Sequence, residues 1–122
     1  MNEQTSEKGL AGERQALAYL RQHGMRPVCQ RYRCPYGEID LVMLDGECLV
    51  FVEVKLRKSA DFAAAREYVD RKKQERLRTT AAMYLTQNPT PLRCRFDIIE
   101  IYAPDGMNTA HPEINHMEDA FQ

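Results

Sequence analysis

Two strand-like runs separated by a turn dipeptide constrain this chain more than any other feature of it. Residues 38–44 (EIDLVML) and 48–56 (CLVFVEVKL) are rich in β-branched and other apolar residues. They flank Asp45-Gly46, a dipeptide favoured in two-residue type I′ hairpin turns. A two-residue turn fixes the register, so that Leu44 faces Glu47, Asp40 faces Phe51 and Glu38 faces Glu53. Because strand side chains alternate between faces, Glu38, Asp40, Glu53 and Lys55 then share one face. Ile39, Leu41, Met43, Val50, Val52 and Val54 share the other.

Glu38 opposite Glu53 is a like-charge cross-strand pair, which destabilises a sheet unless something positive sits beside it. Lys55 supplies one charge. Three carboxylates, with a fourth from Glu13, call for a hard divalent cation such as Mg2+ or Mn2+, which takes oxygen ligands. The candidate metal ligands are thus Asp40, Glu53, Glu38 and Glu13. Such an ion orients a phosphodiester, lowers the pKa of a bound water and stabilises charge developing on phosphorus. Lys55 would hold or activate the attacking water. The alternative is a set of ion pairs on an open sheet face. Against it, the residues between the charges are apolar, which implies that both faces are covered.

Glu13 comes from a segment before the hairpin. Residues 9–24 read as a helix in which Leu10, Ala16, Leu17 and Leu20 recur at helical spacing and Gly24 supplies the stop. Glu13 lies on the same stripe, where a carboxylate is costly unless paired. Residues 28–34 are an edge strand, so that Pro35 costs no central ladder bond. Residues 66–86 form the longest helix, with Val69, Leu77, Ala81, Tyr84 and Leu85 on its apolar arc and Lys73 inside that arc. Asn88-Pro89-Thr90-Pro91 ends it, and residues 94–102 give a last strand around Phe96, Ile98 and Ile99. Past Pro104 the chain is polar and aperiodic. The expected organisation is a disordered N-terminus over 1–8, one α/β domain over 9–103 and a flexible tail over 104–122. The domain has a mixed central sheet flanked by helices, in the order α-β-β-β-α-β.

A chain of 122 residues has room for one such domain and no second. No stretch approaches the roughly 18 apolar residues that cross a bilayer. Residues 1–9 lack the apolar core of a signal peptide, so a cytoplasmic protein with no membrane partner is expected. Cys29, Cys34, Cys48 and Cys94 lack the paired short spacings of a zinc site and read as reduced, partly buried side chains.

The net charge of −1 conceals an uneven distribution: between Lys55 and Arg95, 11 basic residues stand against 4 acidic ones, a local +7 that leaves −8 for the remainder. That block suits a polyanion or a solvated helix face. Its candidate nucleic-acid contacts are Arg57, Lys72, Lys73, Gln74 and Arg76. Lys73 either snorkels to water or meets a phosphate near the acidic patch. Arg57 and Lys58 either touch a backbone phosphate or cap the strand in solvent. His23, His111 and His116 are scattered and receive no role.

Taken together, several segments resemble the YraN-like family of small bacterial proteins. These are Gly12-Glu13, Tyr36 to Val42 (YGEIDLV), Val50 to Arg57 (VFVEVKLR), Lys73-Gln74, Ala81 to Leu85 (AAMYL) and Arg95 to Ile99 (RFDII). The resemblance spans about residues 9–101. It implies a PD-(D/E)XK, restriction-endonuclease-like core similar to that of archaeal Holliday junction resolvases. In that pattern Glu13 matches the first-helix glutamate, Asp40 the motif aspartate, and Glu53 and Lys55 the E-x-K pair. Glu38 belongs to the family's own GEID motif. The chain departs from the family at Arg31, where asparagine is usual, and at Pro35-Tyr36, which replaces a smaller, more polar approach. The expectation that follows is a Mg2+- or Mn2+-dependent endonuclease or DNA-processing protein acting on branched or single-stranded DNA, with Lys55, Glu53, Asp40 and Glu13 catalytic. By analogy with resolvases, which cut two strands, it is a homodimer. A catalytically silent nucleic-acid-binding or assembly protein on the same fold is the alternative.

Overall fold

In a computed structural model that describes residues 7–57, 69–105 and 111–122, helix α1 (Glu7–Gln22) leads into three consecutive strands. These are β1 (Arg26–Cys34), β2 (Gly37–Asp45) and β3 (Cys48–Arg57). Helix α2 (Arg71–Gln87) and strands β4 (Arg93–Tyr102) and β5 (Glu113–Phe121) complete the chain. The five strands form one mixed sheet in the order β1-β2-β3-β4-β5. Only β3 and β4 run parallel, joined by the crossover that contains α2; the other neighbours are antiparallel. The expected α-β-β-β-α-β order is present, followed by a further strand, which is consistent with the restriction-endonuclease-like core that the resemblance implies.

Strand alternation sorts the core into two halves. Leu41, Met43, Val50, Val52, Ile99 and Ile101 pack with Ala16 and Leu20 of α1. Val42, Leu49, Phe51 and Ile98 pack with Leu77, Ala81 and Tyr84 of α2. Ile39 departs from the expected face: it joins the α2 half, so the alternation of β2 breaks between Ile39 and Val42. Across the ladder, Arg31 adopts φ of 51°, an unusual conformation for a non-glycine residue.

The hairpin register differs from the expected one by two residues. Asp45 pairs with Cys48, Leu44 with Leu49 and Leu41 with Val52, so the turn residues are Gly46 and Glu47. Gly46 takes a positive φ of 61° at the first turn position, and Asp45 stays on the strand, where its carboxylate meets Arg95 at 3.0 Å. A shift of two preserves the faces but changes every partner. Glu38 therefore does not face Glu53; it pairs with Arg33 of β1. Continued past Leu41 and Val52, the register would bring Asp40 level with Glu53. There the ladder stops: β2 remains paired with β1, β3 remains paired with β4, and the sheet forks between them.

The C-terminal segment, expected to be a flexible tail, is instead strand β5 over residues 113–121, paired with β4. Its apolar periodicity is weak because Ile114 packs on one half of the core and Met117, Ala120 and Phe121 on the other, across a register shift. Phe121 stacks on Phe96 at 4.7 Å, and polar contacts to Asp97 and Glu100 fill the positions between. Helix α2 begins at Arg71 rather than at residue 66. The Asp70 side chain accepts the Lys73 N–H at 2.9 Å as an N-cap, and Val69 is buried outside the helix. Residues 1–6, Lys58 and Arg66 lie outside the described residues. The cysteines are unpaired as expected; Cys29, Cys34 and Cys48 are half-buried, whereas Cys94 is exposed. Among the described residues no helix is long and apolar enough to cross a membrane.

Candidate active site

The fork in the sheet decides where the acidic residues meet. With no strand partner across the opening, the Val54 N–H donates to Asp40 Oδ2 at 2.8 Å, replacing a ladder bond by a side-chain bond. Asp40 thus reaches across from β2 to β3. Glu53, one residue before Val54, is 8% exposed. Its Oε2 lies 2.7 Å from Lys73 Nζ of α2 and 3.2 Å from Lys55 Nζ on its own strand. Asp40, Glu53 and Lys73, with Glu38, Tyr36 and Arg76, line a cleft of about 370 Å³ between the fork and α2.

The electrostatics of this group are strained. Burial, then the neighbouring Glu53 carboxylate, push the Asp40 carboxyl well above the ordinary aspartate value, against the Val54 N–H, which favours the charged form. Glu13 and Glu38 add to the rise from farther away. Burial also lowers the Lys55 ammonium, and the attraction of Glu53 offsets this only in part. For Lys73, burial acts in the same direction, but the Glu53 carboxylate outweighs it and the pKa rises. Two lysines on one carboxylate oxygen are therefore displaced in opposite directions, and Lys55 is the one made readier to give up a proton.

The other expected ligands stand at the margin. Glu13 reaches the site from α1, where its Oε1 pairs with Arg31 Nε at 3.2 Å and burial raises its pKa. Glu38 is half-exposed and pairs with Arg33 at 3.3 Å. Among the described residues, no three His, Cys, Asp or Glu side chains stand close enough to hold one ion as they are arranged. The Asp40–Glu53 pair nevertheless has the donor chemistry that a magnesium-type ion uses: one or two carboxylates beside an open space in which waters and phosphate oxygens complete the shell.

The five candidate nucleic-acid contacts separate. Lys73 turns onto Glu53 while staying partly exposed on the wall of the cleft, so it neither snorkels free into water nor is left without a carboxylate partner. Gln74 Nε2 donates to the Val69 carbonyl at 2.9 Å. Arg57 lies 3.4 Å from Glu100, a carboxylate with no exposed surface. Lys72 and Arg76 are exposed on the first turns of α2.

Sequence reasoning missed a second polar cluster on the opposite face of the sheet. Asp97, fully buried, accepts Arg95 Nε at 2.9 Å and the Asp119 N–H at 3.0 Å, and its Oδ2 lies 2.7 Å from His116 Nε2. Burial would raise this carboxyl, but the hydrogen bonds from His116, Arg95 and Asp119 outweigh it and hold it below the ordinary value. His116, assigned no role from the sequence, also packs edge-on against Tyr19 of α1 at 5.6 Å. The signal was present in the strand itself: Asp97 and Glu100 interrupt an otherwise apolar run and require buried partners.

Residues 12–101 match the family model described as Uncharacterised protein family UPF0102. Among curated relatives, a UPF0102 protein of Psychromonas ingrahamii is 44% identical over 97 residues, 80% of each chain. One from a Janthinobacterium species is 47% identical over 91 residues, 75% of this chain and 74% of that one. One from Pseudomonas fluorescens is 39% identical over 115 residues, 93% of this chain and 91% of that one.

Proposed function

This chain belongs to protein family UPF0102, the family that the YraN-like resemblance indicated, and from that premise we propose that it is a metal-dependent nuclease hydrolysing phosphodiesters in branched or single-stranded DNA. One observation carries the reading: at the fork in the sheet, Asp40 and Glu53 converge at the wall of an open cleft beside a lysine whose pKa is lowered. Packing alone gives no reason to place two carboxylates there, because Glu53 adds to the cost of charging the buried Asp40.

In this reading Asp40 and Glu53 would hold a Mg2+ or Mn2+ ion, with Glu38 and Glu13 at greater remove. The ion would supply Lewis-acid stabilisation of the phosphate and a more acidic bound water. Lys55 would hold or activate the attacking water and take up the proton it loses as its oxygen bonds to phosphorus, while the leaving sugar oxygen would take a proton from solvent as its bond breaks. Lys73 and Arg76, on the α2 wall of the cleft, balance phosphate charge. Glu13 and Arg31 brace the fork from the α1 side.

A second reading, a DNA-binding or assembly protein without turnover, draws on a specific observation. Glu13, Glu38 and Glu53 each already have a cationic side chain as partner, so an ion would have to compete with those contacts. Under either reading the protein works in the cytoplasm, where its unpaired cysteines stay reduced. It acts as a homodimer; sedimentation at micromolar concentration that finds only monomer removes that part of the proposal.

The deciding experiment incubates wild type and Glu53→Ala with manganese and labelled single-stranded, duplex, flap and four-way-junction DNA. Cutting by wild type alone establishes the nuclease and names its substrate. Binding without cutting by either protein favours the silent module.

A further inference from the structure

The two-residue turn between β1 and β2 is Pro35-Tyr36, closed by the Cys34–Gly37 pair. Its place is fixed by close approach: a Cβ at Gly37 would stand 2.9 Å from Thr80 Oγ1. That oxygen cannot give way easily, because Thr80 is fully buried and donates to the Arg76 carbonyl at 2.8 Å. Glycine at position 37 therefore lets the turn lie directly on α2. The result is an aromatic ring held out at the surface, with Tyr36 52% exposed.

Tyr36 borders a depression of about 320 Å³ together with Lys72, Arg76, Thr79 and Glu75. Tyr36 and Arg76 line the acidic cleft as well, so the two spaces adjoin across these side chains. The cations here also differ from the others around the fork. Arg31, Arg33, Lys55, Arg57, Lys73 and Arg95 each have a carboxylate partner. Among the described residues Lys72 and Arg76 have none. An exposed, positioned aromatic ring beside two uncommitted cations is the arrangement that receives a nucleic-acid strand: the ring stacks on a base and the cations meet the flanking phosphates.

We propose that Tyr36, Lys72 and Arg76 form a subsite for an unpaired nucleotide, which stacks on Tyr36 and so leads its strand into the Asp40–Glu53 cleft. This rests on the nuclease reading and narrows it: the strand at the cleft is single, because a base within a duplex has no free face for Tyr36.

The test is binding without chemistry. A short single-stranded oligonucleotide carrying 2-aminopurine is titrated in EDTA with wild type, Tyr36→Phe, Tyr36→Ala and the Lys72→Ala/Arg76→Ala double variant. Wild type and Tyr36→Phe should bind alike with the fluorescence change of stacking, and fully paired duplex should bind more weakly. Tyr36→Ala should lose about tenfold in affinity together with that change. The double variant should lower the slope of log affinity against log salt by about two. Wild-type affinity and stacking signal retained in Tyr36→Ala would overturn the subsite and leave the nuclease proposal standing. Failure of wild type to bind any single strand would also overturn the subsite, whereas the nuclease proposal stands or falls with cutting in manganese.

Discussion

Two acidic groups sit on opposite faces of the same sheet and have been treated in opposite ways. Asp97 is fully buried yet held below its ordinary pKa, because Arg95, His116 and the Asp119 N–H all converge on it. Asp40 has one N–H donor and a second carboxylate for a neighbour, and its pKa is pushed well up. The difference teaches that burial does not by itself mark a working site. A buried carboxylate that is fully bonded is part of the scaffold; one left short of cations beside another carboxylate is poised for something outside the chain.

The comparison breaks first, and hardest, at Asp97. Asp97→Ala removes the acceptor of Arg95 Nε, His116 and the Asp119 N–H and leaves Arg95 only its contacts to Asp45 and Glu118, and should destabilise the fold by about 3–5 kcal/mol in urea titrations. A loss under about 1 kcal/mol would mean that the cluster is no scaffold. Next in size is the response to metal. Manganese at a hundredfold excess over its Kd should stabilise wild type by about 2.7 kcal/mol and leave Asp40→Asn unmoved, as read by thermal unfolding. An identical shift in the two proteins would remove Asp40 from the binding site.

A smaller effect sharpens the contrast through pH. Asp40→Asn should be as stable as wild type or gain up to about 1 kcal/mol near neutrality, since it relieves like-charge repulsion. The sign follows from linkage. With its folded pKa raised, Asp40 contributes stability that is full below the ordinary aspartate value and is lost as pH rises through the folded value. Asp97, with its folded pKa lowered, contributes stability present above the ordinary value and lost as pH falls through the folded one. Unfolding free energies against pH should therefore differ between wild type and Asp40→Asn on the side above the ordinary aspartate value. Superimposable curves there would contradict the assignment. Smallest of all is Arg33→Ala, which breaks a half-exposed pair with Glu38 and should change stability by no more than about 0.5 kcal/mol.

Much of this was legible in the sequence because strand alternation is a strong signal. The faces of β3 and of β2 from Leu41 onward follow from period two, and the edge position of β1 follows from Pro35; the face of Ile39 does not, because the alternation of β2 breaks there. The register was not legible, because Gly46 serves equally well as first or second turn residue, and the Asp45–Arg95 contact, which suits Asp45 on the strand, joins residues far apart in sequence. Nor was β5, whose apolar residues Ile114, Met117, Ala120 and Phe121 are irregularly spaced and divided between the two halves of the core, with polar residues between them that bond to Asp97 and Glu100. Lys73 lay on the apolar arc of its helix, a position that suits snorkelling; its contact with Glu53 depends on how α2 sits over the fork. Tyr36 carried no periodic signal at all, since a turn residue belongs to no repeating pattern.

The parting of β2 from β3 has a further consequence. A gap that opens because two backbones diverge owes its width to the path of the chain and to the one side chain, Asp40, that spans it, and less to the other residues that furnish it. Such an aperture can be refitted piecemeal, with one lysine or one aromatic exchanged for another, while its frame stays in place. Descendants of one ancestor could then differ in what the opening admits without having to reinvent the doorway.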